Sequence, residues 1–354
     1  MNMNKSYNLH RGGVIELFEI LRFPLICMVV LIHTLQGDEK NGIMQSWYGN
    51  ILYFIQEALC RSAVPVFFII SGYLFFQNIT EFKKEAYSSK VKSRIRTLLI
   101  PYLLWNLIAL TENLIKHLPV LSSVFPNIHK QIIDINFFIG AFWVMPNGSC
   151  PILYPFWYIR DLMVLIIISP LIYYMVKKLR VFCPILLLVG MICGIKLLPG
   201  LSLTSMFFFS VGSYWALYKK DCSPNLFLVG TCLICWIPIA LTDTITRIPY
   251  IHTISVVCGA GAICCLGVIA KEYLCSKPIE VLQKSIFFVY AIHALLLGYI
   301  SKIIFLALPS NNEWICLTLH FVVFVLTMLT SILSYYIMKM YFPKVCGLLT
   351  GGRI

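Results

Sequence analysis

Arg22 and His33 stand in one apolar stretch, "ELFEILRFPLICMVVLIHTLQ", residues 16–36. A charge near the middle of a bilayer costs about 3 kcal/mol on insertion scales, so an arginine kept there needs a task. At 3.6 residues per turn their spacing of eleven is about three turns, which puts both side chains on one helix face roughly 16 Å apart. A guanidinium can hold a phosphate or steady a developing oxyanion. An imidazole can take the proton of an attacking hydroxyl, and a carboxylate can orient it.

Further ionisable residues lie in other apolar stretches. "IQEALCRSAVPVFFIISGYLFF" carries Glu57 and Arg61, four apart on one face. They could neutralise each other as an intrahelical ion pair, or Glu57 could serve His33 and Arg61 the substrate. "PFWYIRDLMVL" holds Arg160 and Asp161. Being adjacent they point about 100° apart and are expected to need separate partners. Asp161 falls at the same outer depth as His33 and Glu57. Trp157 and Tyr158 beside them read as interfacial aromatic-belt residues. His293, in "FFVYAIHALLL", is nearer the middle of its stretch. Six basic residues within the fourteen of "KKEAYSSKVKSRIR" give either a positive-inside signal or a landing site for a polyanion. No closely spaced metal-ligand set, phosphate loop, nucleophile elbow or dinucleotide fingerprint is visible. A buried His with carboxylates and inward arginines suits acyl transfer to a hydroxyl.

The elements that must position these groups are membrane spans. Only 12% of the 354 residues are charged, 59% are hydrophobic, and the mean hydropathy is +0.84, against about 25% charged residues in soluble domains. The expected fold is an all-α polytopic membrane protein, a single transmembrane domain over residues 1–354 with no fused soluble domain. Ten spans are predicted at about 15–36, 50–77, 95–115, 156–176, 182–199, 201–218, 225–242, 252–270, 285–308 and 314–340. Residues 116–155 interrupt them with an amphipathic or re-entrant piece, "INFFIGAFWVM". The net charge of +13 could suggest nucleic acid, but the basic residues fall between apolar segments. With the N-terminus cytoplasmic, 19 of the 28 Lys and Arg lie inside, six outside and three within spans. That asymmetry predicts both termini inside. "VFFIISGYLF" and "MFFFSVGSYWAL" echo each other, with little weight for a true repeat.

On these segments the chain resembles the acyltransferase 3 family of integral-membrane acyltransferases: Arg22 and His33 with ten residues between them, "VPVFFIISGYLF" (64–75), "RIRTLLIPYLLWN" (94–106), "FWYIRDLMVLIIISPLIY" (156–173), "FFFSVGSY" (207–214) and "FFVYAIHALLL" (287–297). Glu19 matches the acidic residue that usually precedes the arginine, and Phe23 departs from the glycine that usually follows it. The resemblance implies about ten spans and a cytoplasmic acyl-CoA co-substrate, usually acetyl-CoA. It further implies a sugar hydroxyl on a surface or lipid-linked glycan as acceptor, and the Arg–His pair as the functional signature. The expected protein is therefore a multi-pass O-acyltransferase of the inner membrane with no bound cofactor, metal or nucleic acid. His33, Glu57 and Asp161 are its candidate catalytic residues, His33 as either a general base or a transient acyl carrier. Arg22, Arg61, Arg160 and His293 are candidates for holding the acyl-CoA or its acyl group. The competing reading is a glycan or lipid transporter whose pathway is lined by the same charges.

Overall fold

The computed structural model describes residues 3–34, 47–79, 81, 83–118, 132–146, 148–218, 226–274, 282–310 and 312–353. Part of the 116–155 interruption, residues 119–131, lies outside them. Among the described residues the regular structure is entirely helical. The helices, in chain order, are α1 Met3–Ile32, α2 Trp47–Phe76, α3 Lys84–Lys116, α4 Ile135–Gly140, α5 Trp157–Ile167, α6 Ser169–Leu179 and α7 Phe182–Ile192. They continue as α8 Leu203–Tyr218, α9 Leu226–Thr246, α10 Pro249–Leu274, α11 Ile286–Ala307, α12 Glu313–Tyr341 and α13 Pro343–Leu349.

Each predicted span overlaps a helix, or two at 156–176, but among the described residues fewer than ten helices are long and apolar enough to cross a bilayer alone. α2, α3, Pro249–Ala270 of α10, α11 and α12 are long and apolar enough, and α5 with α6 makes a sixth if a bent pair counts as one span. α1, with Glu16, Glu19 and Arg22 close together, is not among them. α7 has 11 residues, about 16 Å of helix at 1.5 Å per residue, half a hydrocarbon core. The predicted span at 156–176 is broken at Ile168, where α5 and α6 meet at 69°. Pro170 at the start of α6 cannot donate to the preceding turn, which fits a break there. The predicted amphipathic piece is α4, capped by Asp134, whose carboxylate accepts from the Phe137 N–H at 2.8 Å. Phe137 is buried, whereas Ile135 and Ile139 face outward.

Two of the long helices are irregular where chemistry was expected. α2 widens into a π turn at Phe54–Leu59, which carries Glu57, and α3 does so at Ile95–Leu99, just past Arg94. Such bulges re-aim side chains and recur at functional sites.

The interior is aromatic, with Phe18, Phe68, Phe75, Phe76, Phe156, Phe208, Phe209 and Phe288 fully enclosed. Phe18, Tyr73 and Trp215 meet edge to face at 5.2–5.5 Å, tying α1, α2 and α8 together. α2 and α8 also cross through reciprocal glycines. A Cβ on Gly72 would stand 2.2 Å from the Phe209 carbonyl oxygen, and one on Gly212 would stand 2.0 Å from that of Ile69. The two segments that echo each other in sequence are thus the two that pack backbone to backbone. Outside this core, Ile234, Ile245, Leu306, Leu329 and Leu333 are largely exposed. Outward apolar side chains of this kind suit contact with lipid tails and make this a multi-pass membrane protein.

Candidate active site

Arg22 lies on α1, and His33 lies in the turn that ends it. Arg22, Ile26 and Val29 of α1 line a cavity of about 250 Å³, and His33 continues their 4, 3, 4 spacing. α2 adds Phe67 and Ser71, α5 adds Tyr158, and α11 adds Phe287 and Tyr290.

Three arginines from distant segments meet on this cavity: Arg22, Arg94 at the foot of the π turn in α3, and Arg353 beyond α13. Arg353 is held in place by a folded-back tail. The Trp105 indole N–H donates to the Leu349 carbonyl at 3.0 Å. Gly351, at φ +64, packs so closely that a Cβ would come within 2.5 Å of the Thr97 carbonyl oxygen. Only glycine adopts that backbone without strain. The Arg353 guanidinium lies 4.7 Å above the Phe287 ring and donates to the Thr350 carbonyl at 3.1 Å. Burial, then the neighbouring cations Arg94 and Arg22, lower its pKa to about 10. It remains a cation at neutral pH, but folding disfavours its charge. A bound anion would relieve that cost. A second cavity of about 250 Å³ shares Arg94 and Arg353 and adds Lys90, which donates to the Phe75 carbonyl with its ammonium 5.0 Å from the Phe75 ring. Lys90 and Arg94 belong to the basic stretch read above as either a positive-inside signal or a polyanion landing site.

Where the stripe reaches His33, aromatic groups converge. The His33 ring stacks on His293 at 5.6 Å with 24° between planes and meets Tyr154 edge-on at 4.8 Å. His293 is fully buried. Its Nδ1–H donates to the Val289 carbonyl at 3.2 Å, and its Nε2 has no hydrogen-bond partner among the described residues. The buried ring thus keeps an uncommitted nitrogen, which is costly and uncommon unless it has a use.

The carboxylates are each held by an arginine. Arg160 and Asp161 do not find separate partners as expected; they pair with each other, Nε and Nη2 donating to Oδ1 at 3.2 and 3.0 Å. The arginine side chain is long enough to fold back over its neighbour, so the 100° between Cβ directions does not keep the charges apart. Asp161 Oδ2 accepts from Ser202 at 3.1 Å, and Arg160 Nη1 donates to the Trp143 and Ser149 carbonyls at 2.8 and 3.1 Å. This buried pair holds the backbone at Trp143 and Ser149, upstream of Tyr154. Glu57 pairs with Arg61 at 3.5 Å. One turn before Glu57, the Tyr53 ring lies 5.0 Å from the Arg247 guanidinium, and Asp243 bonds His252 at 2.9 Å. The preceding residue, Gln56, donates to Thr34 at 2.7 Å and ties this cluster to the end of α1.

Tyr158 departs from its expected belt position. It lines the arginine cavity, and its hydroxyl bonds Ser71 at 3.1 Å. Arg353 and Tyr154 were missed altogether, since neither lies in a charged span or near the Arg–His pair in sequence.

A family model described as "Acyltransferase domain" matches residues 15–338, and the chain belongs to that family. A relative from Rhizobium meliloti (strain 1021), "Succinoglycan biosynthesis protein ExoH", is 27% identical over 214 residues. The match covers 56% of this chain and 53% of the relative, so the chain spans about half the length of that curated protein. No solved structure matches the chain.

Proposed function

We propose that this protein is a multi-pass O-acyltransferase of the inner membrane that moves an acyl group, acetyl in the first instance, from cytosolic acyl-CoA to a hydroxyl of an envelope glycan. The observation that carries the proposal is the cavity on which Arg22, Arg94 and Arg353 converge and whose α1 wall runs on to the His33–His293 stack. Clustered guanidinium groups suit the phosphates of a CoA donor. The apolar wall of Ile26, Val29 and Phe67 suits an extended thioester arm. Family membership supports the reaction class, and the printed name of the matched relative supports a polysaccharide acceptor.

In this reading both termini are cytoplasmic and the donor enters at the arginines. His33 takes the proton of the acceptor hydroxyl as its oxygen attacks the thioester carbonyl. The C–O bond forms, the C–S bond breaks, and the thiolate leaves with a proton returned from the imidazolium. His293 backs the His33 ring, and Arg160 and Asp161 position Tyr154 against its edge. Glu57 and Arg61, tied to the end of α1 through Gln56, serve the acceptor side.

The test is incorporation of label from [acetyl-14C]acetyl-CoA into the glycan of native membranes bearing wild type, Arg22→Ala or His33→Ala at matched levels. Label with wild type alone supports the proposal. Undiminished labelling from His33→Ala removes that residue from the chemistry. Glycan uptake without consumption of acetyl-CoA favours a transporter.

A further inference from the structure

A third cavity, of about 400 Å³, is lined by Glu112, Asn113 and Lys116 of α3, by Tyr154, and by Tyr299 and Lys302 of α11. None of the catalytic or donor residues named above lines it. Three features connect it to the chemistry.

The first is place. Along α3, residues 112–116 lie 18 to 22 positions beyond Arg94, about 27–33 Å at 1.5 Å per residue. Along α11, Tyr299 and Lys302 lie 12 and 15 positions beyond Phe287, where Arg353 docks, again about 18 Å or more. The cavity is therefore at the opposite end of these two helices from the arginines. The second is its wall. Tyr154 lines it while meeting the His33 ring edge-on, and Ala294, next to His293, lines it too. The stacked histidines stand beside the partition between the two cavities. The third is its lining. The Tyr299 hydroxyl donates to Glu112 Oε1 at 2.5 Å, Lys116 pairs with the same carboxylate, and the Lys116 ammonium lies 5.0 Å from the Tyr299 ring. Asn113 Oδ1 is buried with no hydrogen-bond partner among the described residues. Closely spaced donors and acceptors beside aromatic faces suit a sugar ring, with its equatorial hydroxyls and apolar faces. A lipid chain or an acyl group would leave this polar lining unpaired.

We infer that this cavity is the acceptor subsite. It would hold one sugar unit of the glycan through Glu112, Asn113 and Lys116, with Tyr299 fixing the Glu112 carboxylate, and present a hydroxyl past Tyr154 to His33. The inference rests on the acyltransferase reading.

The experiment uses native membranes bearing wild type, Glu112→Gln, Asn113→Ala or Tyr299→Phe. Label transfer from [acetyl-14C]acetyl-CoA is titrated against added membrane glycan, and thermal stabilisation of the detergent-purified proteins by CoA is measured in parallel. The expected result is at least a tenfold higher glycan concentration for half-maximal labelling in Glu112→Gln and Asn113→Ala, a smaller rise in Tyr299→Phe, and stabilisation by CoA equal to wild type in all three. CoA stabilisation doubles as proof that each variant is folded. Labelling curves unchanged in Glu112→Gln and Asn113→Ala overturn the subsite alone. Loss of CoA stabilisation together with labelling also overturns it, because the cavity would then serve the donor or the fold. A wild type that neither incorporates label nor is stabilised by CoA overturns the acyltransferase reading and the subsite with it.

Discussion

At the scale of single residues, the Arg160–Asp161 pair shows how two charges can be held inside an apolar bundle. Both side chains are almost wholly enclosed, and their bonds run to each other, to Ser202 and to two carbonyls of the 143–149 segment. Removing one partner of a buried ion pair leaves the other uncompensated, which costs about 3–5 kcal/mol. Arg160→Ala should therefore lower the yield of folded protein and destabilise what remains. Asp161→Asn introduced with Arg160→Gln should recover part of that loss, because neither neutral side chain leaves a bare charge behind. A thermal-melt comparison of the single and double variants in detergent checks this. A double variant worse than the sum of the two singles would instead make the charges themselves necessary. Neither the pairing nor the anchoring was legible in "YIRDL". Adjacency gives directions at the backbone, whereas the length of an arginine side chain and the carbonyls within its reach depend on a segment 11–17 residues away.

Among the elements, the crossing of α2 and α8 is the tightest contact the glycines report. Gly72 and Gly212 each allow the other helix's backbone to pass at a distance that a methyl group would block. Because the obstacle is backbone rather than the end of a flexible side chain, relaxation must move a whole helix. Gly72→Ala and Gly212→Ala should each destabilise by the overpacking cost of about 1–3 kcal/mol or more, read as a fall in melting temperature, while Gly261→Ala, where a Cβ meets nothing within 4 Å, should not lower it. The small residues of "ISGYL" and "SVGSY" hinted at close approach. Their mutual partnership was not legible, since it joins segments 140 residues apart. The helix boundaries were largely readable because apolar runs and turn residues are local signals. The number of bilayer crossings was not, since the bend at Ile168 and the shortness of α7 depend on how those pieces pack.

Taken as a whole, the molecule places a basic cavity at one end of α3 and α11 and a polar one at the other, with the His33–His293 stack alongside. The basic end is closed by the tail beyond α13, which brings Arg353 to Arg22 and Arg94. Charge-assisted hydrogen bonds contribute about 1.5–3 kcal/mol each, so on the proposed acyl-CoA reading Arg353→Ala should weaken CoA binding about 10- to 100-fold, measured as thermal stabilisation by CoA. Gly351→Ala should do the same more mildly by displacing the tail from Thr97. The lowered pKa of about 10 for Arg353 carries a definite sign. The charged form is disfavoured in the folded state, so an anion that restores favourable surroundings for the charge is stabilising below that pH. Its contribution to CoA binding should be level from pH 7 to 9, above the second ionisation of a phosphate monoester near 6. A decline of the Arg353-dependent part within that range would place the titration elsewhere.

The sequence by itself determined that this is a helical membrane protein, and that Arg22 and His33 are spaced for one helix face, while the family came from a resemblance over several motifs. The first two conclusions rest on composition, hydropathy and a spacing within one helix, all properties of contiguous chain. Only the tertiary structure decided that His293 stacks on His33 from 260 residues away, that Arg353 completes the arginine cluster, that Tyr158 faces a cavity, and that Glu112 and Tyr299 share a second one. Those pairings join groups that no local rule connects. They come from the side-by-side packing of long helices, where the position of a residue along the bundle axis, rather than its position along the chain, determines its neighbours.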